Sequence, residues 1–131
     1  MNTKISKYYN KKQAEDYEVR RNNPIWHAEG EVFNKIKKKI APKYNHSMKV
    51  LDVGAGTGRW IPYLHDVSSE YIGTDISENM LNQAELKLEL CPKEFKKNVQ
   101  LINSSVEQLP LHLNGKFHFI IMTRFLSHFS I

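Results

Sequence analysis

The spacing of apolar residues is helical over the first 47 positions of the chain. Ala14 and Tyr17 lie on one face of a predicted helix over 11–21, which Asn22-Asn23-Pro24 interrupts. A second helix should begin at Pro24, because Asn caps free N–H groups and Pro fits the first helical turn. This helix should end at Pro42 and carry one apolar stripe, formed by Trp26, Phe33, Ile36 and Ile40.

From residue 48 the pattern alternates between short apolar runs and amphipathic stretches. The runs predict strands over 48–53, 70–76, 99–106 and 116–123. The amphipathic stretches predict a helix over 57–65 and another that Ser77 caps and Pro92 follows, with one face formed by Leu81, Ala84 and Leu88. Apolar strands that alternate with helices indicate an α/β fold with a parallel sheet covered on both faces.

Three glycines stand where the first strand gives way to a helix, in KVLDVGAGTGRWIPYL (49–64). Gly54, Gly56 and Gly58 suit a tight turn, because glycine accepts positive φ at little cost. The helix that follows offers free N–H groups to a ligand. Taken alone, the glycines are also compatible with a tight turn that binds nothing.

Two acids make the glycine motif more specific. Asp52 comes two residues before Gly54, where a carboxylate would repel a pyrophosphate and suits a cationic ligand group instead. Together with the G-x-G-x-G spacing, this argues against a dehydrogenase. Asp75 closes the second strand, where an acid accepts hydrogen bonds from ribose hydroxyls. Ile76 and Met80 follow it and could pack on the faces of an adenine ring.

These segments resemble a known family. VLDVGAGTGRW and YIGTDISENML resemble the first two motifs of the class I S-adenosylmethionine-dependent methyltransferases. VEQLPL (106–111) resembles the segment after their third strand, and FHFIIMTRFLSHF (117–129) resembles their fourth strand and the next helix. The resemblance covers roughly residues 45–129. It implies a Rossmann-like three-layer sandwich, strand order 3-2-1-4, and S-adenosyl-L-methionine as cofactor.

The resemblance also implies roles for individual residues. Asp52 would face the ammonium group of the cofactor, directly or through water, and Asp75 would hold both ribose hydroxyls. Ser105 stands where the family often has an acid that accepts from the adenine amino group, so adenine recognition would rest partly on the backbone around Val106. The other positions assigned to the cofactor site are Gly54, Ala55, Gly56, Gly58, Ile76, Met80, Thr123 and Tyr17.

The N-terminal segment divides the chain into two parts, 1–47 and 48–131. YYNKKQAEDYEVRR (8–21) resembles the first helix that closes over the cofactor in many small-molecule methyltransferases. Residues 1–47 are therefore predicted to form a helical lid on a partial Rossmann-like domain, and Arg59 and Trp60 are expected to contact it. Core packing of the same aromatic residues is the open alternative. The lid aromatics would be Tyr8, Tyr9, Tyr17 and Trp26.

No residue stands out as catalytic. Methyl transfer from a sulfonium needs little acid–base help once the reacting atoms are aligned about 3–3.5 Å apart. His128 is the best candidate for a general base by its expected place near the rim, whereas His118 alternates with apolar neighbours and is interpreted as structural. The six histidines and the single cysteine show no metal-ligand spacing.

Charge and composition narrow the classes of partner. The net charge of +5 is uneven, with +7 over residues 1–49 and −2 over 50–131. KIKKKIAPK (35–43) is interpreted as a solvated helix face, and MTRF replaces the catalytic motif of base methyltransferases after strand four, so nucleic acid is disfavoured. The chain contains no apolar stretch of about 20 residues, so the sequence predicts no membrane-spanning helix. The absence of a secretory signal and the lone Cys91 favour a cytoplasmic setting.

The leading hypothesis is a methyltransferase that acts on a small molecule. The alternatives are a non-catalytic S-adenosylmethionine-binding protein or subunit and, less favoured, a nucleic-acid methyltransferase. Strand four would lie at an open edge with four consecutive apolar residues, 119–122. We therefore expect a second copy of the chain or a partner chain to cover that edge.

Overall fold

The computed structural model describes residues 11–12, 14–15, 24–108 and 117–122. Residues 11–12 and 14–15 are helical, as predicted. The elements that follow, in chain order, are α1 (Pro24–Ile40), a 3-10 turn (Ala41–Tyr44), β1 (Met48–Val53), α2 (Ile61–Leu64), β2 (Ser68–Asp75), α3 (Glu78–Leu88), α4 (Lys93–Lys96), β3 (Val99–Asn103), a second 3-10 turn (Val106–Gln108) and β4 (Phe119–Ile121). Within these ranges, no helix is both long enough and apolar enough to cross a membrane.

The four strands form one parallel sheet in the order β3-β2-β1-β4, which confirms the predicted topology. Val50 of β1 lies opposite Tyr71 of β2 on one side and Phe119 of β4 on the other. Since parallel strands end at the same edge, the carboxyl ends of β1, β2 and β3 lie side by side. The candidate site is at this edge.

The helix predicted over 57–65 is shorter than expected. Residues 56–60 form turns, and α2 begins only at Ile61. The physical reason is Gly58, whose φ of +75° lies outside the helical region. Pro62 in the first turn of α2 then suits the delayed start.

Two strands are also shorter than predicted. The N–H of Ser104 still donates to the carbonyl of Asp75 at 3.0 Å, but β3 stops at Asn103 because the chain then enters a 3-10 turn that begins at Val106. β4 begins only at Phe119. Before it, His118 donates its N–H to the carbonyl of Lys49, and its Nδ1 accepts the Lys49 N–H at 3.1 Å. The ring of His118 also stacks on Tyr44, which supports its structural interpretation.

The main core lies on one face of the sheet. Met48 and Val50 of β1, Tyr71 of β2 and Ile121 of β4 point toward the same four helices. The members that these helices contribute are Phe33, Ile61, Leu64, Ala84, Leu88 and Phe95. On the opposite face Leu51, Val53 and Ile72 are also buried, so the centre of the sheet is covered on both faces, as predicted.

Helix α1 packs on the sheet through Phe33. Its ring stacks on Trp60 with centroids 4.0 Å apart and lies 6.0 Å from the ring of Phe119. The predicted stripe was wrong at Ile36, which is 43% exposed. Because residues advance by about 100° along a helix, a buried face centred on Gly30 and Phe33 turns Ile36 away from the sheet.

The two stripe residues should therefore differ in their effect on stability. Phe33→Ala should lower the free energy of unfolding by about 3–4 kcal/mol, since it opens a cavity against Trp60. Ile36→Ala, on the same helix, should cost less, about 1 kcal/mol, because nearly half of this residue is already in water. Urea unfolding of both variants measures the difference, and equal losses would show that α1 is not anchored through Phe33.

Candidate functional site

The glycine loop is held in a conformation that ordinary residues avoid. Gly54, Gly56 and Gly58 have φ values of +71°, +58° and +75°. A Cβ at Gly58 would lie 2.9 Å from the Cβ of Ala84, so α3 packs directly on the loop. At Gly56 the nearest atom to such a Cβ is the methyl of Met80 at 3.5 Å, an ordinary van der Waals contact, so the positive φ rather than a clash favours glycine there.

Asp75 joins this loop to the start of α3. Its Oδ2 accepts the backbone N–H of Gly56 at 2.8 Å, and its Oδ1 accepts that of Ser77 at 2.9 Å. Ser77 caps α3 as predicted, since its hydroxyl accepts the N–H of Met80. The partly buried carboxylate thus fixes the relative positions of the loop and the helix N-terminus.

The end of β3 lies against the same residue. The carbonyl of Asp75 accepts the N–H of Ser104 at 3.0 Å and the side-chain amide of Asn103 at 3.1 Å. The next residue after Ser104 is Ser105, which is buried, and Val106 begins the 3-10 turn. The structure therefore brings most of the predicted cofactor residues to one edge of the sheet, namely Gly54, Ala55, Gly56, Gly58, Asp75, Ile76, Met80 and Ser105.

Asp52 lies deeper than the loop. It is 1% exposed, and its Oδ2 accepts a hydrogen bond from the hydroxyl of Tyr71 at 2.6 Å. Burial raises the pKa of Tyr71 well above its usual value, and the charge of Asp52 and this hydrogen bond raise it further. The predicted role of Asp52 toward an ammonium group stays a prediction.

Sequence reasoning missed Tyr71. Its signal is a tyrosine in the strand next to the one that carries Asp52. Gly73, opposite Asp52 in the sheet, leaves room for this pair, because a Cβ there would lie 3.1 Å from the Tyr71 ring. Only the strand register shows that the two side chains meet.

The predicted contact between the loop and the N-terminal part is present. The guanidinium of Arg59 lies against the ring of Trp26, and Trp60 stacks on Phe33. Both partners belong to α1. The other predicted site residues, Tyr17, Thr123 and His128, lie outside the described residues, as do Tyr8 and Tyr9.

This strand order and the glycine loop at the sheet edge define an α/β fold of the Rossmann-like class, and residues 50–131 match a family described as a methyltransferase domain. The chain therefore belongs to this methyltransferase family, as its motifs predicted.

Two relatives and one solved structure show where the likeness lies. A Haemophilus influenzae protein described as uncharacterized is 34% identical over 130 residues, which are 98% of this chain and 50% of that protein. The demethylmenaquinone methyltransferase of Lactococcus lactis is 37% identical over 73 residues, which are 53% of this chain and 27% of that enzyme. Magnesium protoporphyrin IX methyltransferase from Synechocystis PCC 6803, solved with bound S-adenosylmethionine, shares the fold with a TM-score of 0.76 at 19% identity, over 98% of this chain and 64% of that one.

The Tyr71–Asp52 pair generates a prediction about stability and pH. Tyr71→Phe should lower the free energy of unfolding at pH 7 by about 1–3 kcal/mol, because Asp52 loses a buried donor. Since the pKa of Tyr71 is raised on folding, the unfolded chain ionises first, and the stability that Tyr71 contributes is lost as pH rises above about 10. The difference in free energy of unfolding between wild type and Tyr71→Phe should therefore become smaller above this pH.

Urea unfolding at pH 7 and at intervals above pH 10 measures both effects. Tyr44→Phe, at an exposed tyrosine, is the matched control and should change stability little at pH 7. The hydrogen bond between Tyr71 and Asp52 would be contradicted if wild type and Tyr71→Phe had equal free energies of unfolding at neutral pH, or if their difference grew above about pH 10.

Proposed function

We propose that the chain binds S-adenosyl-L-methionine and acts as a methyltransferase on a small molecule. The observation that carries the proposal is the carboxylate of Asp75, which lies between the N–H groups of Gly56 and Ser77 at the carboxyl edge of the sheet. The proposal also rests on the fact that the chain belongs to a methyltransferase family.

The site fits the nucleoside part of the cofactor. A carboxylate oxygen can accept more than one hydrogen bond, so Asp75 can hold ribose hydroxyls while its bonds to the backbone persist. The absence of a side chain at Gly56 would let a ligand approach the loop backbone beside Met80. Ile76, Met80 and Ser105 stand around the same edge, where they would flank the adenine.

The electrostatics fit the amino-acid part of the cofactor. Asp52 places a negative charge below the loop, which suits an ammonium group and disfavours a pyrophosphate. When bound, the cofactor supplies an electrophilic methyl group on a sulfonium. The residues of the chain would orient it, and an aligned approach of the acceptor provides most of what the transfer needs.

The names of relatives support a small-molecule acceptor. The Lactococcus relative is named for demethylmenaquinone, and the structurally similar Synechocystis enzyme is named for magnesium protoporphyrin IX. This chain spans 27% of the first and 64% of the second, so the activity of the whole protein is part of the proposal. A cytoplasmic location is also part of it, on the ground of the single cysteine.

Loss of the Asp75 carboxylate should weaken cofactor binding. Asp75→Ala should cost about 1–3 kcal/mol of binding free energy, the usual loss for a hydrogen-bonded charged partner. Isothermal calorimetry with S-adenosylhomocysteine, the demethylated product, measures the change. Unchanged affinity in this variant would refute the assignment of the ribose site.

The control for this measurement is Ser77→Ala. It removes the α3 cap, which is worth about 1 kcal/mol of stability, but leaves the Asp75 carboxylate and the Ser77 N–H in place. It should therefore lower the unfolding midpoint and preserve affinity. Equal loss of affinity in both variants would mean that helix stability, and not the carboxylate, governs binding.

A second candidate function is a subunit that requires a partner chain. β4 pairs only with β1 among the described strands, and at this outer strand Ile120 is 58% exposed, next to exposed Met122. An apolar edge strand in water favours association with another chain. We propose that a second copy pairs along this edge, since a two-fold contact is the simplest closed solution.

Light scattering at micromolar concentration tests the pairing. The wild-type chain should show about twice the monomer mass, and Ile120→Glu should shift it to the monomer. Leu90→Glu, at a more exposed apolar residue just after the end of α3, should leave the mass unchanged. A wild-type chain that is monomeric and soluble would contradict this proposal.

A further inference from the structure

Arg59, the residue directly after Gly58, is enclosed by two tryptophans. Its guanidinium carbon lies 4.3 Å from the ring centroids of both Trp26 and Trp60. Its Nη1 donates to the carboxylate of Glu29 at 2.8 Å, and Nη2 donates to the backbone carbonyl of Trp26. The planar group is thus contacted on its faces and along its edge.

These contacts connect the glycine loop to the first turns of α1. Trp26 and Glu29 belong to α1, and Trp60 precedes α2. On its other side the loop is packed against Ala84 of α3, which is within 3.3 Å of a Cβ built at Gly58. The loop is therefore held between α3 and α1, and Arg59 contacts α1 beside the stack of Trp60 on Phe33.

Packing a charged side chain between two helices is energetically unfavourable compared with packing an apolar one. The side chain of Arg59 is only 10% exposed, and a charge removed from water costs free energy that its partners must offset. An apolar residue would fill the same space without that cost. What a guanidinium adds is geometry, because its fork and its flat faces fix both the distance and the orientation of the groups around it.

Because Arg59 directly follows Gly58, its contacts also constrain the backbone of the glycine loop. The N–H of Gly58 donates to the carbonyl of Ala55 at 3.0 Å, so a shift of Arg59 moves the backbone around Gly56. That backbone is also where Gly56 donates to Asp75. Loss of the Arg59 contacts would therefore disturb the proposed ribose site, although Arg59 itself lies outside it.

We propose that Arg59 is a positioning residue for cofactor binding, which acts by holding the start of α1 against the glycine loop. This inference rests on the proposed function. It places the contribution of α1 to binding in the Trp26–Arg59–Trp60 stack and the Glu29 ion pair, which we call the Arg59 clamp. The part of α1 that contacts neither Arg59 nor Trp60, such as Lys37, would stabilise the fold without tuning the loop.

The test uses variants that remove one type of contact from the clamp at a time. Arg59→Lys keeps the charge and the reach to Glu29 but loses the flat stacking surface. It should weaken calorimetric binding of S-adenosylhomocysteine by about tenfold, at a temperature well below its unfolding midpoint. Trp26→Leu should act in the same direction, and Trp26→Phe, which restores an aromatic face, should recover most of the affinity.

The matched control is Lys37→Gln at the other end of α1. Lys37 is 14% exposed, and its Nζ donates to the carbonyl of Tyr63 at 2.9 Å and pairs with Asp66 at 3.5 Å. It attaches the helix as Arg59 does, but away from the glycine loop. The variant should lower the unfolding midpoint and keep the wild-type affinity.

The outcomes separate the inference from the function it rests on. If Arg59→Lys and Trp26→Leu lower the unfolding midpoint but bind within about twofold of wild type, as Lys37→Gln should, the clamp is only structural and the inference is overturned. If the wild-type chain itself does not bind S-adenosylhomocysteine, the proposed function fails and the inference falls with it.

Discussion

The hydrogen bonds from Gly56 and Ser77 to the carboxylate of Asp75 are the interaction on which the rest of the site depends. They join the loop after β1 to the first turn of α3 through the last residue of β2. Without this carboxylate, the loop would lose its side-chain link to the end of β2 and the start of α3, which lie about 20 residues further along the chain. The proposed function assigns the same group to ribose, and under that proposal folding and binding would share one residue.

Two buried charged groups support that edge from different sides. Below the loop, Asp52 is held by the hydroxyl of Tyr71, and beside the loop Arg59 is held by Glu29 and two tryptophans. Burial of a charge is unfavourable unless partners satisfy it, and both groups have such partners. Charges therefore lie close to the backbone of the loop while apolar packing fills the rest of the core. This arrangement fixes the loop in one conformation.

Local patterns predicted most of the fold, because they act within a few residues. β1, the start of α1 at Pro24 and the Ser77 cap follow from apolar runs, Pro and a hydroxyl at the expected positions. The predictions failed where a backbone angle or the packing of distant segments determined the structure. Gly58 at positive φ delayed α2, and the rotation of α1 about Phe33 exposed Ile36. Within the candidate site, the residues of the glycine loop and Asp75 were predicted, whereas the Tyr71–Asp52 bond depends on strand register.

The central claim is that the edge formed by the loop, Asp75 and the start of α3 binds S-adenosylmethionine. A titration of the ¹⁵N-labelled chain with S-adenosylhomocysteine, followed through its amide NMR signals, tests it most directly. The amides of Gly56 and Ser77 should shift and saturate together, because both donate to the proposed ribose-binding carboxylate, while those of Ser69 and Asn98 at the opposite end of the strands should not move. An unchanged spectrum, or shifts confined to that opposite end, would contradict the account.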